Sequence, residues 1–362
     1  MIIRDVLNRT YIFAERSLSL RIIKRLSEGE TMVKTLTQEK FISSLGKFPK
    51  KPPLNTRILD TQEYDTHTQR LIAYTTESEE RVQAFLLIPR MKEKLPGILA
   101  IHQDGERRPY EYGKSELAGI AGDPELKYGL ELCLRGYVVI CPDRFPFESR
   151  CLANSKFKET FRALPIFTRY QGRELDLTED LYRGCVANRL LFEGKTLLGM
   201  ELFEMQRALD CLSEFPEVDS NRIGVIGHSA GGFLSALVMY VDPRVKVGCV
   251  STGTFLFRWF FRKDTLRPIN GFAGLAVPGL KKAGDVDDVL AGLAPRPFME
   301  TMGDQGMPEE MIEEKIRKAR VRYAEMRVPE RLVHIVYKGG HIFRRDMREK
   351  SYEWFDHWLK KQ

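Results

Sequence analysis

The sequence predicts an α/β fold: a mostly parallel central sheet of about eight strands flanked by helices, with an N-terminal helical extension and inserted loops. Three observations carry this. Short, continuously apolar runs recur along the chain, as strands buried on both faces require. Segments of helical period separate them. Two long stretches, near 144–195 and 252–290, break the alternation just after predicted strands, where insertions overhang the carboxyl edge of a parallel sheet.

The elements follow in chain order. Residues 1–50 read as helical, with a shorter segment ending near Leu45 and the Pro/Lys-rich linker "GKFPKKPPLN" after it. The extension is therefore placed at 1–50 and the main domain at 51–362. "RVQAFLLIP" and "GILAIH" read as strands, "PELKYGLELCLRG" as helix and "YVVICPD" as a buried strand with a proline at its exit. The helix "LLGMELFEMQRALDCLSEF", the strand "NRIGVIG" and the helix "AGGFLSALVMYV" come next. "RVKVGCVS", "RPFMETMG" and "RLVHIVYKGG" continue the strands, beside the helices "PEEMIEEKIRKARVRYAEM" and "RDMREKSYEWFDHWLKK".

Composition narrows the class. The 362 residues are 43% hydrophobic and 30% charged, as in a soluble globular protein with ample core. No apolar run approaches the roughly 18 residues that span a bilayer, and the start has no leader-like apolar segment, so the cytoplasm is expected. Cys133, Cys141, Cys151, Cys185, Cys211 and Cys249 are scattered, without C-x-x-C pairs. They read as packed thiols rather than disulfides or zinc ligands. Residues 1–50 hold ten Lys/Arg and five Asp/Glu, most of the net +7. No nucleic-acid motif accompanies them, so this reads as a solvated helix face. Two readings of the N-terminal helix stay open: packing on its own body, or homo-oligomerisation.

The chemistry centres on "RIGVIGHSAGGF" (222–233). G-x-S-x-G arises easily by accident, but here it lies between a strand and a helix, the setting a nucleophile elbow requires. An elbow forces its serine into an unfavourable backbone conformation, so the flanking positions must lack side chains; Gly227 and Gly231 occupy them. The helix that follows Ser229 points free N–H groups at its oxygen.

A nucleophilic serine needs a base and an orienting acid, and in α/β-hydrolases, whose elbow this stretch resembles, the chain order is Ser, Asp/Glu, His. Of the later histidines, His334 lies inside an apolar strand and His357 in an amphipathic helix. His341 follows a strand and two glycines and is the choice. Asp304, just beyond a strand and a glycine, is the acid candidate, with Glu300 inside the strand as its rival. Backbone N–H groups of Ala230 and Gln103 are the candidate oxyanion donors. His102 reads as a base or, from its early position, as a structural or substrate-side histidine of the oxyanion loop.

The stretches "LAIHQDGERR…YGKSELAGI", "CLRGYVVICPDRFPFESR", "NRIGVIGHSAGGF", "LAPRPFME" and "GGHIF…SYEWFDHWL" resemble the dienelactone hydrolase and acetyl xylan esterase-like branch of the α/β-hydrolases, from about residue 50 to the end. The resemblance implies an eight-stranded, mostly parallel sheet, a Ser229–Asp304–His341 triad and oxyanion donors at Gln103 and Ala230. Two departures matter. The oxyanion loop reads His-Gln-Asp-Gly rather than His-Gly. Dienelactone hydrolases proper use cysteine where this chain has Ser229, which favours a carboxylic ester. Related glucuronoyl esterases carry arginine directly after the serine, where this chain has Ala230.

These readings predict a serine esterase that needs no metal or organic cofactor and acts on a small-molecule ester, short-chain acyl or sugar acetyl. Phe145 and Phe147, with Phe257, Arg258 and Trp259, are the candidate substrate lining; the competing reading is that such aromatics pack the insertions onto the body. A peptidase resembling the prolyl-oligopeptidase group shares the triad order, but the first 90 residues are too few and too helical for its β-propeller. A non-catalytic scaffold is the third class, set against the intact Ser, Asp and His.

Overall fold

Nine strands form one sheet in the computed structural model, which describes residues 38–78, 80–104, 110–162, 178–260, 277–305 and 307–360. They are β1 (Arg57–Glu63), β2 (His67–Glu77), β3 (Glu80–Pro89), β4 (Leu95–Ile101), β5 (Val138–Pro142), β6 (Val218–His228), β7 (Val245–Ser251), β8 (Phe298–Gly303) and β9 (Leu332–Tyr337). Their order across the sheet is β1-β2-β3-β5-β4-β6-β7-β8-β9. β1, β2 and β3 are antiparallel to their neighbours, and β4 through β9 run parallel.

Nine strands agree with the expected sheet of about eight, and β1 and β2 are the two that the sequence did not disclose. β1, "RILDTQE", is exposed along its whole length and pairs with β2 as an edge strand, so no buried face patterned its side chains.

The helices that matter are α1 (Gln38–Ser44), α2 (Lys114–Leu117), α3 (Tyr128–Leu134), α4 (Thr178–Phe192), α5 (Leu197–Glu214), α6 (Ala230–Val241), α7 (Phe257–Phe260), α8 (Val286–Gly292), α9 (Glu309–Glu325) and α10 (Arg345–Phe355). α5, α6, α8 and α9 contribute to one core cluster, with β-strand residues such as Leu99 and Val225. α3 and α10 contribute to a second, through Leu132, Met347 and Phe355. Helices thus cover both faces, which is why β4, β5 and the Ile223–Gly227 stretch of β6 read as apolar runs. α1 belongs to the extension predicted at 1–50. Its Phe41 and Leu45 are buried, and the Gln38 side-chain amide donates to the carbonyls of Tyr240 and Val241 at the end of α6. Residues 1–37, which include most of the predicted N-terminal helix, lie outside the described residues. No helix among the described residues is long and apolar enough to cross a membrane.

Candidate active site

Ser229 sits between the last residue of β6 and the first of α6, at φ 56° and ψ −125°, a positive-φ conformation that L residues adopt only under constraint. The constraint is visible. Ser229 N–H donates to the Ser251 carbonyl at 2.8 Å, and Phe233 N–H donates to the Ser229 carbonyl at 2.9 Å. The flanking glycines are required by space: a Cβ on Gly227 would lie 2.3 Å from the Gly231 carbonyl oxygen, and one on Gly231 would lie 2.1 Å from that of Ile101. The first turn of α6 therefore lies against the end of β4, where the loop carrying Gln103 begins.

His341 comes from the loop after β9, and its Nε2 is 2.6 Å from Ser229 Oγ. Asp304 leaves β8 alongside that loop. Its N–H donates to the Tyr337 carbonyl at 2.8 Å, Gln305 N–H donates to the Gly339 carbonyl at 2.9 Å, and Gly339 N–H donates to Asp304 Oδ1 at 3.3 Å. The carboxylate is thus tied to the backbone two residues before His341, and Lys338 pairs with its other oxygen at 3.0 Å. Glu300, the rival acid, is committed elsewhere. It is fully buried, 2.7 Å from Lys315, and accepts from the Thr254 hydroxyl. Burial opposes its ionisation, but Lys315 and His334 outweigh this and hold its carboxyl down at about 2.

His228, directly before the serine, was not singled out by the sequence. Its ring centroid is 5.0 Å from that of His341, and its Nδ1 lies 3.1 Å from both the carbonyl and hydroxyl oxygens of Ser251. Burial, and then the charge of His341, push its pKa down to about 3. A neutral His228 leaves the neighbouring imidazole free of a like charge when that ring takes up a proton.

Among the remaining candidates, His102 is corrected from substrate contact to scaffold. It is fully buried, and its Nε2 accepts from Arg144 N–H at 2.9 Å. The proton must then be on Nδ1, which donates to the Gln103 carbonyl at 2.7 Å. Burial, with Arg144 nearby, holds this ring neutral, its pKa down at about 3. The aromatic candidates mostly serve packing. Phe147 is wholly buried between the rings of His102 and Tyr110, and Phe145 packs on Tyr182. Phe257 packs on Phe233 and Phe255 in the main core. Trp259 Nε1–H donates to Glu314 at 2.8 Å. Arg258 is held by Asp285, Asp287 and Glu314 at 3.0, 3.1 and 2.8 Å, so its charge is already answered by carboxylates. Residues 261–276 of the insertion predicted near 252–290 lie outside the described residues.

Glu116 on α2 accepts from Asp123 N–H at 3.1 Å and from the Gln103 side chain. Burial, with the charge of Asp123 adding to it, lifts its carboxyl to about 7. Since this folded value exceeds the ordinary 4.5, the protonated group's contribution to stability is complete below pH ~4.5 and is lost as pH rises to about 7. Glu116→Gln should therefore raise stability at pH 8 by on the order of 2–3 kcal/mol and leave it nearly unchanged at pH 4.5. Urea unfolding at the two pH values measures this; equal shifts at both would contradict it.

No model of a known protein family matches the chain. YtaP of Bacillus subtilis (strain 168), provisionally assigned as a hydrolase, is 25% identical over 323 residues, which cover 87% of this chain and 96% of that protein. A solved structure from Bacteroides fragilis NCTC 9343, provisionally assigned as an acetyl xylan esterase, superposes with a TM-score of 0.64 at 19% identity, covering 84% of this chain and 75% of that one. A glucuronoyl esterase from Solibacter usitatus gives 0.63 at 15% identity, covering 88% and 91%. The chain has the α/β-hydrolase fold. In this α/β-hydrolase frame the parallel strands β6, β8 and β9 are followed, in chain order, by Ser229, Asp304 and, four residues on, His341.

Proposed function

We propose that the chain is a serine hydrolase of carboxylic esters. The observation that carries this is the 2.6 Å approach of His341 Nε2 to Ser229 Oγ on a strained turn at the start of a helix. Ser229 attacks the ester carbonyl as His341 takes its proton, and the carboxylate of Asp304 steadies the imidazolium. The N–H groups of Gln103 and Ala230 receive the oxyanion, with the N-terminus of α6 adding its dipole. The alcohol leaves with the proton from His341, and water activated by the same ring releases the acid. Residues 51–362 form the catalytic domain in this reading, and 1–50 its extension.

The substrate proposed is a short-chain acyl or sugar-acetyl ester. The similarity to a structure assigned as an acetyl xylan esterase supports it. Ala230, where the resemblance puts an arginine in glucuronoyl esterases, weighs against an arginine-assisted relative. The test combines labelling by a fluorophosphonate probe with turnover of p-nitrophenyl esters of increasing chain length, acetylated sugars and proline-containing peptide amides. Labelling with preference for acetyl esters is expected. Cleavage of the amides alone would replace the esterase with a peptidase, and an unreactive Ser229 would leave a scaffold.

A further inference from the structure

We propose that Arg144 is the positioning residue of the oxyanion loop, acting with Asp104 to aim the Gln103 N–H. This deepens the esterase reading and rests on it. The argument starts from the peptide unit. A trans peptide is planar, so the His102 carbonyl and the Gln103 N–H point in opposite directions, and fixing one aims the other. Arg144 Nη1 donates to the His102 carbonyl at 3.1 Å and to Asp104 Oδ1 at 2.8 Å. One guanidinium nitrogen thus grips the peptide that supplies the N–H and the side chain of the residue after Gln103.

The grip is anchored at both ends. Arg144 Nη2 donates to Glu201 of α5 at 3.1 Å, and the Arg144 backbone N–H donates to His102 Nε2 at 2.9 Å. His102 in turn holds the Gln103 carbonyl through Nδ1, which fixes the next peptide plane. Arg183 of α4 reaches Asp104 Oδ2 at 3.5 Å. The Arg144 side chain is only 3% exposed, so water does not compete for these bonds. A planar fork makes this set of bonds, and the single ammonium of lysine cannot reproduce it.

The experiment compares wild type with Arg144→Lys for kcat and KM on a short p-nitrophenyl ester. Inhibition by an alkyl trifluoromethyl ketone, whose adduct carries the oxyanion, is read beside it. So is hydrogen exchange of the segment Ile98–Asp104. A misaimed donor should lower kcat by about 10–100-fold, somewhat less than outright removal of an oxyanion donor. KM should stay within about twofold, ketone affinity should fall in step with kcat, and exchange should quicken in that segment. A folded lysine variant with kcat within about threefold of wild type overturns the proposal, as does a loss carried by KM alone or ketone affinity that does not move. If Arg144→Lys does not fold, Asp104→Ala takes its place, since Asp104 is partly exposed. It should show the same coupled fall, smaller, with Asp104→Asn recovering most of it; no coupled fall overturns the proposal. A wild-type protein inert to esters and to fluorophosphonate would defeat the esterase reading instead, and unchanged exchange in Ile98–Asp104 would still defeat the grip.

Discussion

Ser229→Ala should lower kcat on a short p-nitrophenyl ester by at least about 10⁴-fold, leaving only what oxyanion donors and binding provide to attack by water. His341→Ala should lose a similar amount, and the double variant little more, because nucleophile and base act as a unit. Asp304→Asn should lose somewhat less, still on the order of 10⁴-fold, because the amide keeps the His341 loop in place but no longer steadies the imidazolium or its tautomer. Protein stability separates chemistry from damage. Alanine retains a Cβ at φ 56°, so the melting temperature of Ser229→Ala should stay near wild type. Ser229→Gly should be equally inactive yet more stable by about 1 kcal/mol, because glycine occupies that conformation without strain. Steady-state kinetics, probe labelling and thermal melts on these variants measure all of this. Esterase activity surviving in Ser229→Ala would refute the assignment.

What the sequence disclosed depended on whether a constraint was local. Gly227, Ser229 and Gly231 were legible because a backbone turn dictates side-chain absence at fixed spacing, and the clashes a Cβ would make at both glycines are that same constraint. The parallel strands were legible because burial on two faces leaves an unbroken apolar run. β1 was not, since an exposed edge strand is specified by hydrogen bonds to β2 rather than by pattern. For a related reason the sequence did not decide between the substrate-side and the packing readings of Phe145, Phe147 and Arg258. An aromatic or arginine in an insertion looks the same in sequence whether it lines a cleft or fills a small core, and the partners that decide this lie far along the chain. Phe145 meets Tyr182, and Arg258 meets Glu314. The grip of Arg144 on the His102 carbonyl joins positions 42 residues apart and exists only once β4 and β5 are paired.

Lys315→Met should be the most destabilising single change near the site, by about 3–5 kcal/mol, because it leaves a buried carboxylate without its counter-charge. Lys315 is 5% exposed and Glu300 is not exposed at all. Lys315 Nζ also donates to the Thr254 carbonyl at 3.3 Å, while the Thr254 hydroxyl donates to Glu300. His334, its own pKa lowered by burial, reaches Glu300 only at 3.4 Å and does not replace the ammonium. The pH dependence follows. In the wild type the depressed Glu300 pKa gives stability that is present above ~4.5 and lost as pH falls toward about 2. Without Lys315, burial dominates and raises that pKa, so Glu300 takes up a proton under mildly acidic conditions. The deficit of Lys315→Met should therefore shrink between pH 8 and pH 5, and Lys315→Met/Glu300→Gln should recover most of it at pH 8. Urea unfolding at both pH values reads this; a deficit below about 1 kcal/mol, or one that ignores pH, would show that the pair is not what holds this region. The consequence reaches the elbow. Thr254 follows Gly253, where a Cβ would lie 2.3 Å from the Ser229 carbonyl oxygen and 2.5 Å from Phe233 N. The loop that Glu300 and Lys315 hold down is thus the one packed against the strained serine, and folded Lys315→Met should lose activity before it loses structure.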